Sequence, residues 1–202
     1  MPSHADYLLL NRLYRCPDRC AASEMKCQNG GFLNPNDCTK CICPRAFVGR
    51  SCNGMDYDCG GQEQSTPKWR RFSMDWSSVS EKRYCYWFLT APPGRKIEIK
   101  LENIVPEDPL CPYRENTWME VRLGNFLVGG YRFYCNGHIP DYTLISEGNL
   151  IVLTLRKEGD DPFELELIFR SVEAKSENAG STFGVSLALV LFITKELWKG
   201  NC

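Results

Sequence analysis

The cysteines are the residues of this chain whose type and spacing could do chemistry. The sequence has 202 residues and 12 cysteines, most of them crowded between positions 16 and 52. Thiols at such density either pair as disulfides or bind zinc as thiolates. Structural zinc prefers well-separated cysteine pairs or cysteine–histidine mixtures, and neither His4 nor His138 is near the cluster. The pattern therefore favours disulfides and an oxidising, extracellular compartment.

The two histidines also limit catalysis. A catalytic zinc usually has three protein ligands, and neither His4 nor His138 begins a His-Glu-x2-His motif. A Ser–His–Asp arrangement has no nucleophile-elbow sequence to support it. His138 follows Asn136-Gly137, so we interpret it as a surface residue of a turn. We expect no catalytic residue, no bound metal and no enzymatic activity in this chain as given.

Composition and charge set the remaining bounds. The 24 basic residues nearly balance the 25 acidic ones, so nothing points to a nucleic-acid partner. An apolar content of 43% is enough for a packed core. The cysteine-dense stretch is too short to bury much apolar surface and needs covalent cross-links. Beyond Cys52 the cysteines become sparse, which predicts a second kind of structure.

The elements that must position these residues are mainly β. Residues 5–14 have helical periodicity, with Leu9, Leu10, Leu13 and Tyr14 on one face and Asp6 as a candidate N-cap. From residue 84 onward the period changes to two, with turn residues between the runs. We predict two antiparallel sheets packed as a sandwich, filled by aromatic residues. These residues are Tyr86, Trp87, Phe88, Tyr131, Phe133 and Tyr134.

Residues 20–52 resemble an epidermal-growth-factor (EGF)-like module. The resemblance rests on Cys27-Gln-Asn-Gly-Gly and on Cys41-x-Cys43-x8-Cys52 with Gly49 before the last cysteine. It implies three disulfides, although spacing alone allows fifteen pairings. The implied pairs are Cys20–Cys38, Cys27–Cys41 and Cys43–Cys52. Calcium-binding modules of this type have an acidic pair before the first cysteine, and here only Asp18 is near, so we expect no calcium.

The next region resembles a CUB domain, a jelly-roll β-sandwich. The matching motifs are Cys59-Gly-Gly, Cys85-x-Trp87, Trp118-Met-Glu-Val121, Tyr134-Cys135 and Gly148-Asn-Leu150. The resemblance implies the disulfides Cys59–Cys85 and Cys111–Cys135. Many CUB domains bind calcium through an Asp at the position that Thr117 takes here. A calcium site needs six to eight oxygen ligands, so we expect none in this domain either.

The first residues carry a third resemblance. The pattern Ser3-x2-Asp6-x4-Asn11-x2-Tyr14-x-Cys16 resembles the last helix and last cysteine of the catalytic domain in astacin-type zinc metalloproteases, in particular nematode members. It implies that Cys16 pairs within a catalytic domain absent here, so Cys16 and Cys202 are expected to be unpaired. Zinc would belong to the parent enzyme only. Because no signal peptide begins the sequence, we expect a fragment of a secreted precursor or a sequence that has lost its start.

These resemblances divide the chain into four predicted parts. Residues 1–16 would end a catalytic domain, 17–57 form the EGF-like module, 58–173 the CUB domain, and 174–202 a tail. The tail contains an apolar run that is short for a membrane-spanning helix, which needs about 20 residues. It could form a terminal helix or strand, anchor the chain in a membrane through residues 183–198, or be an artefact of the sequence.

Two functions are compatible with this organisation. The first is a non-catalytic, protein-binding region that recognises substrate or matrix for a secreted astacin-like zinc metalloendopeptidase. The second is a free-standing extracellular adhesion protein, held at the cell surface through residues 183–198. Both predict extracellular or matrix proteins as partners and no cofactor in this chain. The candidate binding patch is Trp69, Arg70 and Arg71, since aromatic and arginine side chains are enriched in binding hot spots.

Overall fold

The protein is described from a computed structural model. The described residues are 2–75, 84–105, 117–134, 139–156 and 163–174. Several residues named above lie outside these ranges, and the predictions that depend on them stay predictions. They are Cys111, Cys135, Cys202, His138 and the segment 183–198. The predicted boundaries between the four parts of the chain also stay predictions.

The chain begins with a helix, α1 (His4–Leu13), whose N-cap is Ser3 rather than the predicted Asp6. The Ser3 hydroxyl accepts a hydrogen bond from the Asp6 backbone N–H, and the Asp6 carboxylate accepts one from the Ser3 N–H at 2.7 Å. This reciprocal capping box satisfies two otherwise unpaired donors. The hydrogen bonds from Ser3 lower the pKa of Asp6. The helix leaves Leu9 and Leu13 largely exposed.

A small disulfide-rich module follows, in which short strands connect the cysteines. A 3-10 helix (Cys16–Cys20) precedes two antiparallel pairs of strands. The strands are β1 (Phe32–Asn34), β2 (Asp37–Ile42), β3 (Phe47–Val48) and β4 (Gly54–Met55). Its disulfides join the same cysteines that the resemblance to an EGF-like module implies. They are Cys20–Cys38, Cys27–Cys41 and Cys43–Cys52.

Cys16 corrects one expectation. It is buried and disulfide-bonded, so the prediction that it is unpaired in this chain is wrong. The expectation rested on the absence of a catalytic domain, and a cysteine as buried as Cys16 is bonded without one.

A two-sheet sandwich forms the rest of the described chain. Its strands are β5 (Gly60–Gln64), β6 (Arg70–Asp75), β7 (Tyr84–Thr90), β8 (Arg95–Val105), β9 (Trp118–Arg122), β10 (Tyr131–Phe133), β11 (Leu144–Ile145), β12 (Leu150–Arg156) and β13 (Glu164–Glu173). One sheet has five strands in the order β10-β9-β12-β7-β5, and the other has four in the order β11-β8-β13-β6. The Cys59–Cys85 disulfide ties the start of the sandwich to β7. The prediction of a mainly β fold is confirmed.

One pair of strands departs from the predicted antiparallel arrangement. β5 pairs with β7 in parallel, with Gly60 opposite Tyr86 and Gln64 opposite Thr90. The chain leaves β5 to form β6 in the other sheet before it returns as β7. A crossover of this kind brings the second strand back in the same direction.

The main core lies between the two sheets and follows the alternation in the sequence. Inward-facing side chains of β8 and β13 are almost completely buried, among them Ile97, Ile99 and Leu167. Trp87 packs against Phe72 across the sandwich, with ring centroids 6.3 Å apart. Burying apolar surface stabilises a fold by about 25 cal/mol per Å². This core is therefore the main source of the sandwich's stability.

A second core lies on the outside of the five-stranded sheet. Phe88 of β7 faces the EGF-like module rather than the inside of the sandwich, contrary to the prediction that it fills the space between the sheets. Its ring lies 6.2 Å from that of Phe47 of β3, which in turn lies 4.9 Å from Phe126. Val152 and Cys52 belong to the same cluster and are fully buried, and Ala46 and Tyr86 also contribute to it. The EGF-like module and the sandwich therefore share a packed apolar joint.

Gly60 offers a test of the parallel pairing between β5 and β7. Its φ is +110°, and a Cβ there would overlap the backbone carbonyl of Tyr86. Gly60→Ala is expected to lower the free energy of unfolding by about 2–4 kcal/mol. The matched control is Gly61→Ala, since a Cβ at Gly61 meets no heavy atom within 4 Å. Chemical denaturation of the oxidised protein measures both, and equal effects would contradict the described pairing.

Candidate protein-binding surface

The outer face of the four-stranded sheet carries a network of exposed ion pairs. Arg71 of β6 lies 3.3 Å from Glu102 of β8 and 3.2 Å from Glu166 of β13. Exposed pairs of this kind contribute only about 0–1 kcal/mol each to stability. The network is therefore a poor explanation of stability, but it provides a surface of alternating charge.

A row of side chains crosses the same face from one edge of the sheet to the other. The Arg170 guanidinium lies 4.4 Å from the centroid of the Trp69 ring and 2.7 Å from the Glu98 carboxylate. Thr143 donates a hydrogen bond to the other oxygen of Glu98 at 2.9 Å. Ile145 is the strand neighbour of Glu98 and is 51% exposed. Trp69 and Ile145 thus present apolar surface at the two ends of a fixed, charged row, which we call the Trp69–Ile145 row.

The structure divides the candidate patch that the sequence suggested. Trp69 and Arg71 both lie on the outer face, but Arg70 points to the other side of its strand. The Arg70 guanidinium donates to the backbone carbonyl of Gln64 and pairs with Glu63 at 3.2 Å. Alternation along β6 is the physical reason, because consecutive residues of a strand face opposite sides. Trp69 and Arg71 therefore share one face and Arg70 does not, and binding by these residues stays a prediction.

The other members of the Trp69–Ile145 row could not be identified from the sequence. Arg170, Glu98 and Ile145 are far from Trp69 along the chain, and only the strand register brings them together. The sequence feature that bears on these residues is the alternation of charged and apolar residues in β8 and β13. This alternation identifies which residues face outward, but it does not give the order of the strands.

The outer face of the five-stranded sheet differs, because its central part is buried. Glu120 and Arg122 of β9 are both less than 10% exposed. The Glu120 carboxylate accepts hydrogen bonds from the Gly130 N–H and from Arg132 at 2.9 Å, and it lies 3.7 Å from Arg122. Arg122 donates to the backbone carbonyl of Arg45 in the EGF-like module at 3.0 Å. This sheet face is thus occupied by the joint and is not available to a partner there.

Burial and charge shift the pKa values of these groups in opposite directions. Desolvation lowers the pKa of Arg122, and the nearby Glu120 carboxylate only partly opposes this effect. Burial also disfavours the charged form of Arg132, but hydrogen bonding and charge from Glu120 outweigh it and raise the pKa. Glu120 is therefore the counter-charge on which two arginines depend.

The described residues do not fit a metal site. No group of three or more His, Cys, Asp or Glu side chains is placed to hold an ion within those ranges. His4 Nε2 lies 2.9 Å from the Gly30 carbonyl oxygen, and its ring packs against Phe32. Burial lowers the pKa of His4, as expected for a ring used in packing. No zinc or calcium step is therefore derived from these residues.

The helices in the part of the chain that the structure describes have ten residues or fewer. None of its helices is long and apolar enough to cross a bilayer. The segment 183–198, on which the anchoring prediction depends, lies outside that part.

These features define a class of protein: a disulfide-rich module of the EGF-like type packed on a β-sandwich. Solved structures similar to this chain include the CUB1-EGF-CUB2 domains of rat MASP-1, with a TM-score of 0.39 and 13% sequence identity over 55% of this chain and 42% of that chain. The CUB1-EGF-CUB2 domain of human MASP-1/3 matches with a TM-score of 0.40 and 12% identity, over 74% of this chain and 55% of that chain. No protein-family model matches the sequence.

The homologues of this chain are nematode zinc metalloproteinases of the astacin type. They confirm the predicted resemblance to astacin-type zinc metalloproteases. Zinc metalloproteinase nas-28 of Caenorhabditis elegans is 34% identical over 75% of this chain and 33% of its own length. Zinc metalloproteinase nas-27 of the same nematode is 32% identical over 66% of this chain and 35% of its own length. Zinc metalloproteinase dpy-31 of Haemonchus contortus is 34% identical over 75% of this chain. The chain thus spans about a third of the length of the curated relatives it matches.

Proposed function

We propose that this chain is a non-catalytic, extracellular protein-binding region of an astacin-like zinc metalloprotease. It would hold a substrate or matrix protein beside the catalytic domain and so raise the local concentration of cleavable segments. The similarity to nematode zinc metalloproteinases supports this assignment. The zinc would be a cofactor of the parent enzyme. Disulfide cross-links support an extracellular location, because such bonds persist in oxidising compartments.

The observation that carries the proposal is the difference between the two sheet faces. The EGF-like module covers the central part of the five-stranded sheet's outer face, whereas the described part of the four-stranded sheet exposes the Trp69–Ile145 row. An exposed tryptophan stacked on an arginine is typical of a hot spot, because it offers a large rigid contact area with little entropy to lose. The ion pairs of Arg71 and Arg170 restrain this surface before a partner binds.

The charge on this face favours a protein partner over a nucleic acid. Arg71 and Arg170 are each paired with glutamates, so the face has no excess of positive charge for phosphates. Mixed charges with apolar ends suit a protein surface of complementary pattern. The alternative function, adhesion at a cell surface through residues 183–198, stays a prediction.

A capture experiment tests the proposed surface. The purified oxidised chain is immobilised and used to bind proteins from a nematode extracellular-matrix extract. The variant Trp69→Ala with Arg71→Glu is expected to weaken capture of the bound partner by at least tenfold, since hot-spot residues contribute about 2 kcal/mol or more. Its melting temperature should change little, because both residues are exposed.

The matched control is Lys26→Glu, a charge reversal on an exposed residue of the EGF-like module. It should leave capture unchanged. Loss of capture in both variants would point to net charge as the cause. Undiminished capture by the Trp69→Ala, Arg71→Glu variant would exclude Trp69 and Arg71 from the contact surface and so contradict the proposed site.

A further inference from the structure

An open depression lies at the corner of the sandwich where the chain leaves β5 and crosses to β6. It has a volume of about 350 Å³ and is lined by Ser65, Thr66, Arg70, Arg95 and Ser171, among others. β5 ends the order of the five-stranded sheet and β6 ends that of the four-stranded sheet. The depression therefore lies between the edges of both sheets, apart from the Trp69–Ile145 row.

Three buried polar atoms of the lining residues lack a partner within the described part of the chain. They are Ser65 Oγ, Ser171 Oγ and Arg95 Nε. Both serines are only 3% exposed. Their backbone N–H groups are already bonded, Ser65 to the Thr90 carbonyl and Ser171 to the Thr66 carbonyl. Buried polar atoms without a partner are rare and costly, so three around one depression indicate a bound group that pairs with them.

The fixed charges at this depression are both positive. Arg70 and Arg95 line it, and none of its described lining residues carries a carboxylate. Of their ion-pair partners, Glu63 is half-buried and Glu173 is exposed, and Glu173 lies 3.9 Å from Arg95. Such pairs exchange readily for a better partner. The donors consist of two guanidinium groups and the serine hydroxyls, which is a set suited to an anion.

Two features of the lining set the chemistry of that anion. A guanidinium presents parallel N–H groups that match the two oxygens of a planar carboxylate. The volume of the depression exceeds that of a single small ion. The depression can therefore hold an acidic side chain together with the backbone of its residue. The neighbouring edges of β5 and β6 can accept an extended segment.

We infer that the depression binds the carboxylate of an acidic side chain, presented by an extended peptide segment of a partner protein. The carboxylate would lie between Arg70 and Arg95 and accept hydrogen bonds from the hydroxyls of Ser65 and Ser171. This inference rests on the proposed function, because it names the chemistry by which the region recognises a protein.

The test is an NMR titration of the ¹⁵N-labelled, oxidised chain. The probe is N-acetyl-glutamate N-methylamide, and the uncharged control is N-acetyl-glutamine N-methylamide at the same ionic strength. The glutamate probe is expected to shift the backbone amides of Ser65, Thr66 and Ser171 saturably, with a Kd on the order of 1 mM. The glutamine control should not shift these amides saturably. Sodium sulfate forms a third arm of the experiment.

Variants separate binding from folding. Arg95→Gln is expected to weaken binding of the glutamate probe about tenfold or more, since charge-assisted hydrogen bonds are the strong ones. Ser171→Ala should weaken it about threefold or more and yet leave the melting temperature unchanged or higher, because the hydroxyl has no partner in the free chain. Arg12→Gln, at an exposed residue of α1 that does not line the depression, is the control that should retain full affinity.

Three results would overturn the inference: no saturable shift with the glutamate probe, equal shifts with the glutamine control, or sulfate binding at least tenfold tighter than the glutamate probe. None of them bears on the capture experiment, which tests the other sheet face. Failure here with successful capture would remove this site and leave the proposed function intact.

Discussion

Replacing Phe47 by alanine is expected to lower the free energy of unfolding of the whole chain by about 3–5 kcal/mol. Phe47 belongs to β3 of the EGF-like module, is 4% exposed, and packs on Phe126 and Phe88 of the sandwich. Removing its ring leaves a cavity between two units that a short module cannot close by itself. Because the cavity borders both the EGF-like module and the sandwich, both should lose stability.

Hydrogen exchange with denaturant titration measures this effect. In the Phe47→Ala variant, β7 and β12 should lose protection together with the EGF-like module, because Phe88 and Val152 lie in the same cluster. The control is Val48→Ala, at the next residue, which is 45% exposed and should cost within about 0.5 kcal/mol. Loss of protection confined to residues 32–55 would show that the two units fold independently.

Replacing Glu120 by alanine is expected to cost about 3–5 kcal/mol, because it leaves Arg122 buried without its counter-charge. Arg122 is 5% exposed, and burial already lowers its pKa. The loss also removes the acceptor for the Gly130 N–H and for Arg132. The double variant Glu120→Leu, Arg122→Met should recover much of this stability, since a hydrophobic pair of similar volume avoids the desolvation cost.

The matched control is Glu166→Ala, which removes a partner of Arg71 on the exposed face. It should change the free energy of unfolding by less than about 1 kcal/mol. Urea titrations at constant pH compare the three variants with the parent chain. A Glu120→Ala variant no less stable than Glu166→Ala would contradict the burial of this charge pair.

The period-two pattern of the sequence predicted the sandwich and most of its core. The inward residues of β8 and β13, such as Ile97 and Leu167, follow from alternation alone. The continuous apolar run Leu150–Leu155 in β12 is typical of a strand covered on both faces, and its central residues are buried. These predictions succeed because burial between two sheets imposes a strict local pattern.

The candidate site was less predictable, because it depends on how distant segments meet. Glu120 and Arg122 have the pattern of a solvent-facing strand side, yet the EGF-like module covers them. Likewise, the position of Arg70 opposite Arg71 follows from alternation, but the pairing of Trp69 with Arg170 follows from strand order. Strand order is decided by long-range packing, on which local spacing is silent.

In the proposed function, the EGF-like module covers the central part of the five-stranded sheet's outer face. The outer face of the four-stranded sheet binds a protein partner. Hydroxyl-radical footprinting of the chain, free and bound to its captured partner, tests this arrangement most directly. Trp69 and Ile145 are both at least 40% exposed in the free chain, so both should be readily modified there and protected in the complex. Phe47 and Phe88 should resist modification in both states. Unchanged labelling of Trp69 and Ile145 on binding, or strong labelling of Phe88 in the free chain, would contradict the account.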